Sequence, residues 1–261
     1  MLQIGLYWNK KSRKGKKYFG TDQIIGNQTM SFDLQNNEKL SPWWRYITFL
    51  VMIVGFTILG LITSIAYDNT APIPKQVVDP EGRVIFTGEQ VTRGQGVFLK
   101  NNLMEHGTLW GHGAYLGPDY SASYLHEQTL FMQKILADEI YHKPFDQLND
   151  FEKGSVTQEI PKILKLNRYN PQTKTLLFTN EESKAYAHNL DFRRNYFTSG
   201  EAPGLPKNYI SNPEDLSNLT SFFAWASWAS ATKRPGEDFT YTNNFPYDPI
   251  AGNYPSADAY L

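Results

Sequence analysis

Residues 47–67 read ITFLVMIVGFTILGLITSIAY, 21 consecutive positions without a charged side chain. At a helical rise of about 1.5 Å per residue such a run spans roughly 30 Å, the hydrocarbon thickness of a bilayer. Trp43, Trp44 and Tyr46 at one end and Tyr67 at the other supply the aromatic belts expected at the two water interfaces. A signal-peptide core would be shorter, and no small-residue cleavage site precedes Pro72. The run therefore predicts a retained, single-pass transmembrane helix over 47–67.

Its flanks set the expected orientation. Lys10, Lys11, Arg13, Lys14, Lys16, Lys17, Lys39 and Arg45 precede the span, whereas Lys75 and Arg83 are the basic residues of positions 68–87. The positive-inside rule then predicts a cytoplasmic lead over 1–46 and an extracytoplasmic domain over 68–261. Within the lead, residues 1–29 read either as a basic arm on anionic lipid or as an upstream extension of a protein starting at Met30, and MSFDLQNNEKLSPWWRY favours the second. A mean hydropathy of −0.47 agrees with one span and a larger polar domain.

A net charge of −1 provides no global field for nucleic acid. There is no cysteine, which excludes disulfides, thiolate metal sites and thioether-linked haem. The five histidines, His106, His112, His126, His142 and His188, all lie outside the span and have no i,i+4 pairing. Each is expected to be packed or solvated rather than metal-bound.

Local signals predict a mostly α domain with a few short strands. Residues 83–87 form a short strand, and Thr87 with Gln90 makes a capping box that opens a helix to about 102. Gly94 and Gly96 weaken that helix by about 1 kcal/mol each relative to Ala, and are expected where another backbone packs closely. Leu125, Thr129, Met132, Leu136 and Ile140 form an amphipathic stripe on a helix over 121–143. Residues 163–168 and 175–179 flank a Pro-containing turn and read as a hairpin, and Asn180 is the expected cap of a helix over 181–197. Asn212 and Pro213 open the last helix. It ends in FFAWASWASA, where Trp225 and Trp228 serve as core, as a membrane-surface face or as a docking face. Residues 233–261 are turn-rich, and the chain reads as stopping before a second span.

Two blocks carry the functional signal. One is FTGEQVTRGQGVFLKNNLMEHGTLWGHGAYLGPDYSASYLH; the other is FFAWASWASATKRPGEDFTYTNNFPYDPIAGN. In the first, six glycines from Gly94 to Gly117 sit among Phe98, Trp110, Tyr115, Tyr120 and Tyr124, more aromatic surface than a solvated loop carries. Together with the span, both blocks resemble in order the amino-terminal part of quinol-dependent nitric oxide reductases, membrane oxidoreductases of denitrification.

The resemblance implies a haem-less cytochrome-c-like domain behind the anchor, in the bacterial inner membrane with the domain in the periplasm. Alignment on Gly111-His112-Gly113-Ala114-Tyr115 places Leu103 and His106 at the family's haem-attaching cysteines and Gly107 at its proximal histidine. It further implies that the backbone oxygens of Gly113 and Tyr115 contribute to a bridging calcium, and that Trp110, Gly111, His112, Trp225 and Trp228 face a partner. That partner is the remaining haem-bearing transmembrane portion, which would hold haem b, haem b3 and the non-haem iron and receive electrons from quinol.

No catalytic and no cofactor-binding residue is expected in this chain, which would be a structural cap, inactive alone, on an enzyme joining two NO into N2O. On this reading Gly113→Val should disturb assembly more than folding. The alternative is a membrane-anchored binding or scaffold module with vestigial ancestry.

Overall fold

The computed structural model describes residues 41–68 and 70–256. The chain divides into two compact units, residues 1–57 and 58–261, with the division inside the first helix. The reading of 1–29 as an upstream extension lies outside the described residues.

The first helix, α1, runs Trp43–Asp68 and is the one described helix long and apolar enough to cross a membrane. Its side chains are exposed along the whole span, with Phe49, Phe56 and Leu61 more than 60% accessible. An apolar surface of this kind is stable in lipid and not in water. The hydroxyls of Thr48, Thr57 and Thr63 each donate to the carbonyl four residues back, so no polar group is left unsatisfied by them in the apolar segment.

In the second unit, residues 70–75 form a strap leading to β1 (Gln76–Val78) and β2 (Val84–Thr87). Thr87 caps α2 (Gly88–Lys100) through the expected reciprocal box with Gln90. The short α3 (Leu103–His106), the paired β3 (Thr108–Leu109) and β4 (His112–Gly113), and α4 (Tyr120–Tyr141) follow. A 3-10 turn at Phe145–Gln147 leads to α5 (Asp150–Lys165), then β5 (Tyr169–Asn170), β6 (Thr175–Leu177), α6 (Asn180–Thr198) and α7 (Pro213–Ala231). The four-stranded sheet has the order β2-β1-β6-β5, with β1 and β6 parallel and the other pairs antiparallel.

Three sequence expectations change. Residues 163–165 close α5 instead of opening a strand, because Asn149 and Glu152 form a capping box that starts that helix well upstream. The hairpin is accordingly shorter and uses Tyr169 and Asn170, which the sequence pattern placed in the turn. The cap of α6 is Thr179, again in a reciprocal box with Glu182, and not Asn180. The stripe on α4 is buried at Leu125, Thr129, Met132 and Leu136, while Ile140 is exposed.

Helix α7 is central. Nearly every position from Leu216 to Ala231 is buried, so FFAWASWASA is core, with Trp225 its half-buried exception. Helix α2 lies against it at close range: a Cβ on Gly94 would collide with the backbone oxygen of Asn218 and with Phe222. Gly96 has no such neighbour, so only one of the two glycines answers to close packing. A second cluster joins the far half of α4 to α5 through Met132, Leu136, Val156 and Ile160.

The segment after α7 is irregular but tied down. Asp248 accepts from the backbone of Ile250 and Ala251, and Lys165 Nζ donates to Asn253 Oδ1. Burial, followed by the charge of Lys233, lowers the Lys165 pKa from its ordinary 10.5 to about 8.

This packing can be tested at the two glycines and at the lysine. Gly94→Val should lower stability by about 1–3 kcal/mol or more, as overpacking does, whereas Gly96→Ala should raise it by up to about 1 kcal/mol; denaturant midpoints of the full chain in detergent test the pair. Because the folded pKa of Lys165 lies below the unfolded one, the fold prefers the neutral amine. Its contribution is complete above pH 10.5 and is lost as pH falls through about 8. Wild type should therefore gain stability relative to Lys165→Met as pH rises across that window, and parallel curves would contradict the assignment.

Candidate functional site

The glycine-rich block folds into a small presenting device. β3 and β4 pair with Thr108 opposite Gly113 and Leu109 opposite His112, leaving Trp110 and Gly111 as a two-residue turn. Both have positive φ, 53° and 81°, as a type I′ hairpin requires. Glycine enters that region freely, but a tryptophan there carries strain on the order of 1–3 kcal/mol and persists only where its surroundings enforce it.

The enforcing contacts are identifiable. The Trp110 backbone N–H donates to Ser121 Oγ at 3.2 Å, and its indole Nε1 donates to the Ala226 carbonyl at 3.0 Å. Its ring lies 5.4 Å from that of Trp225, whose own Nε1 donates to the Pro72 carbonyl in the strap. Thr70, Ala71, Trp110, Trp225, Tyr241 and Thr242 line a cavity of about 260 Å³ beside this pair.

Asp119 locks the turn to α4. Its Oδ2 accepts from Thr108 Oγ1 and from the Gly111 N–H, both at 2.7 Å; its Oδ1 accepts from Ser121 Oγ at 2.5 Å and from the Ala122 N–H at 2.8 Å. One carboxylate thus caps the N-terminus of α4, where negative charge is favoured, and holds the hairpin. Sequence reasoning started this helix at Ser121 and missed Asp119; an Asp three residues before the amide it caps was the available signal.

Beyond the turn the chain projects outward. Gly113 and His112 are exposed, Tyr115 is 87% accessible and Leu116 61%. The Ala114 N–H donates to the Met104 carbonyl at 2.8 Å, fastening the loop to α3. Trp110, Gly111, His112, Gly113 and Tyr115 therefore come together on one loop, and Trp225 joins through its ring. Trp228 does not: it is 5% exposed and packs against Tyr169 and Tyr241, so it belongs to the domain's own core.

Gly113 also departs from expectation. At φ 139° a Cβ there would strike the Gly107 carbonyl oxygen, so Gly113→Val damages this domain directly and cannot serve as a clean probe of assembly.

Behind the loop, the positions aligned with a haem-binding motif are filled by protein. Leu103 is fully buried. His106 has partners on both ring nitrogens, Tyr120 Oη at 2.7 Å from Nδ1 and the Pro203 carbonyl at 2.5 Å from Nε2. Tyr120 stacks on Phe223 and Phe197, and the fully buried Arg193 lies over the Phe223 ring. Desolvation lowers the Arg193 pKa to about 10 and raises that of the Tyr120 phenol well above its usual value. Among the described residues no three His, Asp or Glu side chains cluster as a metal site.

A mostly helical domain behind one helix long and apolar enough to cross a membrane, with an outward-facing glycine hairpin, is thus the class of protein in hand. The family model for the NorB cytochrome c-like domain of nitric oxide reductase matches residues 74–247, more than half of the chain, and the chain belongs to this family. No curated protein matches it.

Asp119→Ala removes four hydrogen bonds at once. It should cost roughly 2–4 kcal/mol, since buried donors left unpaired cost about 1–3 kcal/mol each with partial relaxation, and should speed deuterium exchange at the Gly111 amide before α7 is affected. Unchanged exchange there would remove Asp119 from its role as the lock.

Proposed function

We propose that this chain is the anchoring and capping part of a quinol-dependent nitric oxide reductase. On this reading α1 spans the inner membrane with its amino terminus in the cytoplasm, and the domain stands in the periplasm over the haem-bearing transmembrane portion. The observation that carries the reading is the loop after Trp110–Gly111: a strained turn held by four hydrogen bonds to present Gly113, Tyr115 and Leu116 to the outside. Strain of this kind is retained where a surface must be preorganised for a partner. The family membership and the basic bias ahead of α1 support the same assignment.

The domain's own part in the chemistry is structural. With no cysteine in the chain, and with Leu103 and His106 committed to the core, a thioether-bound haem is not accommodated at the aligned motif. Haem b, haem b3, the non-haem iron and quinol belong to the partner. Calcium would be held by the backbone oxygens of Gly113 and Tyr115; since the ion takes six to eight oxygens, the partner would have to supply most of its ligands. Conversion of two NO to N2O resides in the partner, and this chain alone is inactive.

Tyr115→Ser combined with Leu116→Ser tests the docking face, because both side chains are exposed and their loss spares the core. Burying an apolar side chain of this size contributes about 1.5–3 kcal/mol. Co-purification of haem b absorbance with this chain, when it is co-expressed with the haem-bearing portion, should therefore fall at least about tenfold. Undiminished co-purification would refute the docking face.

A further inference from the structure

A chain of aromatic rings crosses the domain from its surface to a buried tyrosine–histidine pair. Trp110, half-buried beside the surface cavity, lies 5.4 Å from Trp225; Trp225 lies 6.1 Å from Phe222, Phe222 5.9 Å from Phe223, and Phe223 4.9 Å from Tyr120, stacked at 2°. At its inner end the Tyr120 hydroxyl meets His106 Nδ1 at 2.7 Å, in a site where both residues are at most 6% exposed.

The proton positions follow from the partners. The Pro203 carbonyl can only accept, so His106 Nε2 carries a proton, and in the neutral ring Nδ1 is left to accept from the Tyr120 hydroxyl. A phenol that loses an electron becomes a strong acid and must release its proton at once. Tyr120 has a base to receive it at hydrogen-bond distance, the geometry required for proton transfer. The imidazolium so formed is already hydrogen-bonded to a carbonyl. The positive charge is also moved off the phenol, which feels the Arg193 guanidinium.

We propose that Tyr120 and His106 form a redox-active pair that takes up an oxidising equivalent delivered to the Trp110/Trp225 face by a one-electron oxidising radical from solvent. In the step, Tyr120 gives one electron through the ring chain to the radical, which is reduced. The Tyr120 O–H bond breaks, and the proton moves to His106 Nδ1, leaving a neutral tyrosyl radical and an imidazolium. Return of an electron returns the proton. Trp110 and Trp225 are the oxidisable stations, while Phe222 and Phe223, much harder to oxidise, are the bridge. This activity does not require the partner, and a partner docked over Trp110 and Trp225 would shield it, so it is tested on this chain alone.

The test uses the full chain in detergent micelles, with a photogenerated ruthenium(III) polypyridyl complex as the oxidant and electron paramagnetic resonance of the frozen sample as the readout. Wild type should give a tyrosyl signal. Tyr120→Phe, which removes only a hydroxyl and whose fold is checked by circular dichroism, should lose most of it. Trp225→Phe should lower its yield severalfold. In wild type exchanged into heavy water, electron–nuclear double resonance should detect an exchangeable proton coupled to the radical, as a proton held between Tyr120 and His106 demands. The absence of a tyrosyl signal in wild type, a signal unchanged in folded Tyr120→Phe, or a radical without that coupling would each overturn the proposal.

Discussion

The approach of α2 to α7 at Gly94 is the constraint on which the rest of the domain depends. Only a residue without a Cβ lets α2 settle onto the backbone at Asn218, and that contact brings Phe98 onto Phe222 and Phe223. Once α7 is enclosed, its side chains organise the neighbouring segments. Phe223 carries Tyr120, Trp225 holds both the strap and Trp110, and Trp228 receives Tyr241 from the segment beyond the helix. A helix apolar on all sides is stable in water only when covered on all sides, and here the covering segments are the ones that shape the presented loop.

The loop is thereby coupled to the core through a few directed bonds. Asp119 is shared between the start of α4 and the hairpin, and Trp110 between the hairpin and α7. Each bond is modest, about 1 kcal/mol net, but together they offset the strain of a tryptophan at positive φ. The result is a preorganised surface whose ordering cost is met during folding and not at docking.

Close packing also accounts for the inward-facing histidine. His106 sits where a Cβ on Gly117 would overlap its ring, and both of its nitrogens are engaged. The interior of the domain is here packed with aromatic and polar side chains in mutual contact. That filling supplies the core and, at the same time, the tyrosine–histidine geometry.

Periodic and short-range information was legible in the residues. The uncharged run predicted α1, the Thr87–Gln90 box started α2 and Asn212–Pro213 started α7, whereas the glycine-aromatic block folds largely into α2, α3 and α4 with Phe98, Tyr120 and Tyr124 buried. These signals are local: each depends on neighbours within a few positions, where hydrogen-bond reach and helical pitch are set by the chain itself. Tertiary structure decided the rest. It made Gly94 and not Gly96 the packing glycine, turned Trp228 inward and Trp225 partly outward, and put Gly113 against the Gly107 carbonyl. It also joined Asp119 to Gly111 and His106 to Tyr120 and Pro203. Those outcomes depend on which surfaces meet across distant parts of the chain, and the free energy of such meetings comes from volume and hydrogen-bond complementarity that no local pattern encodes.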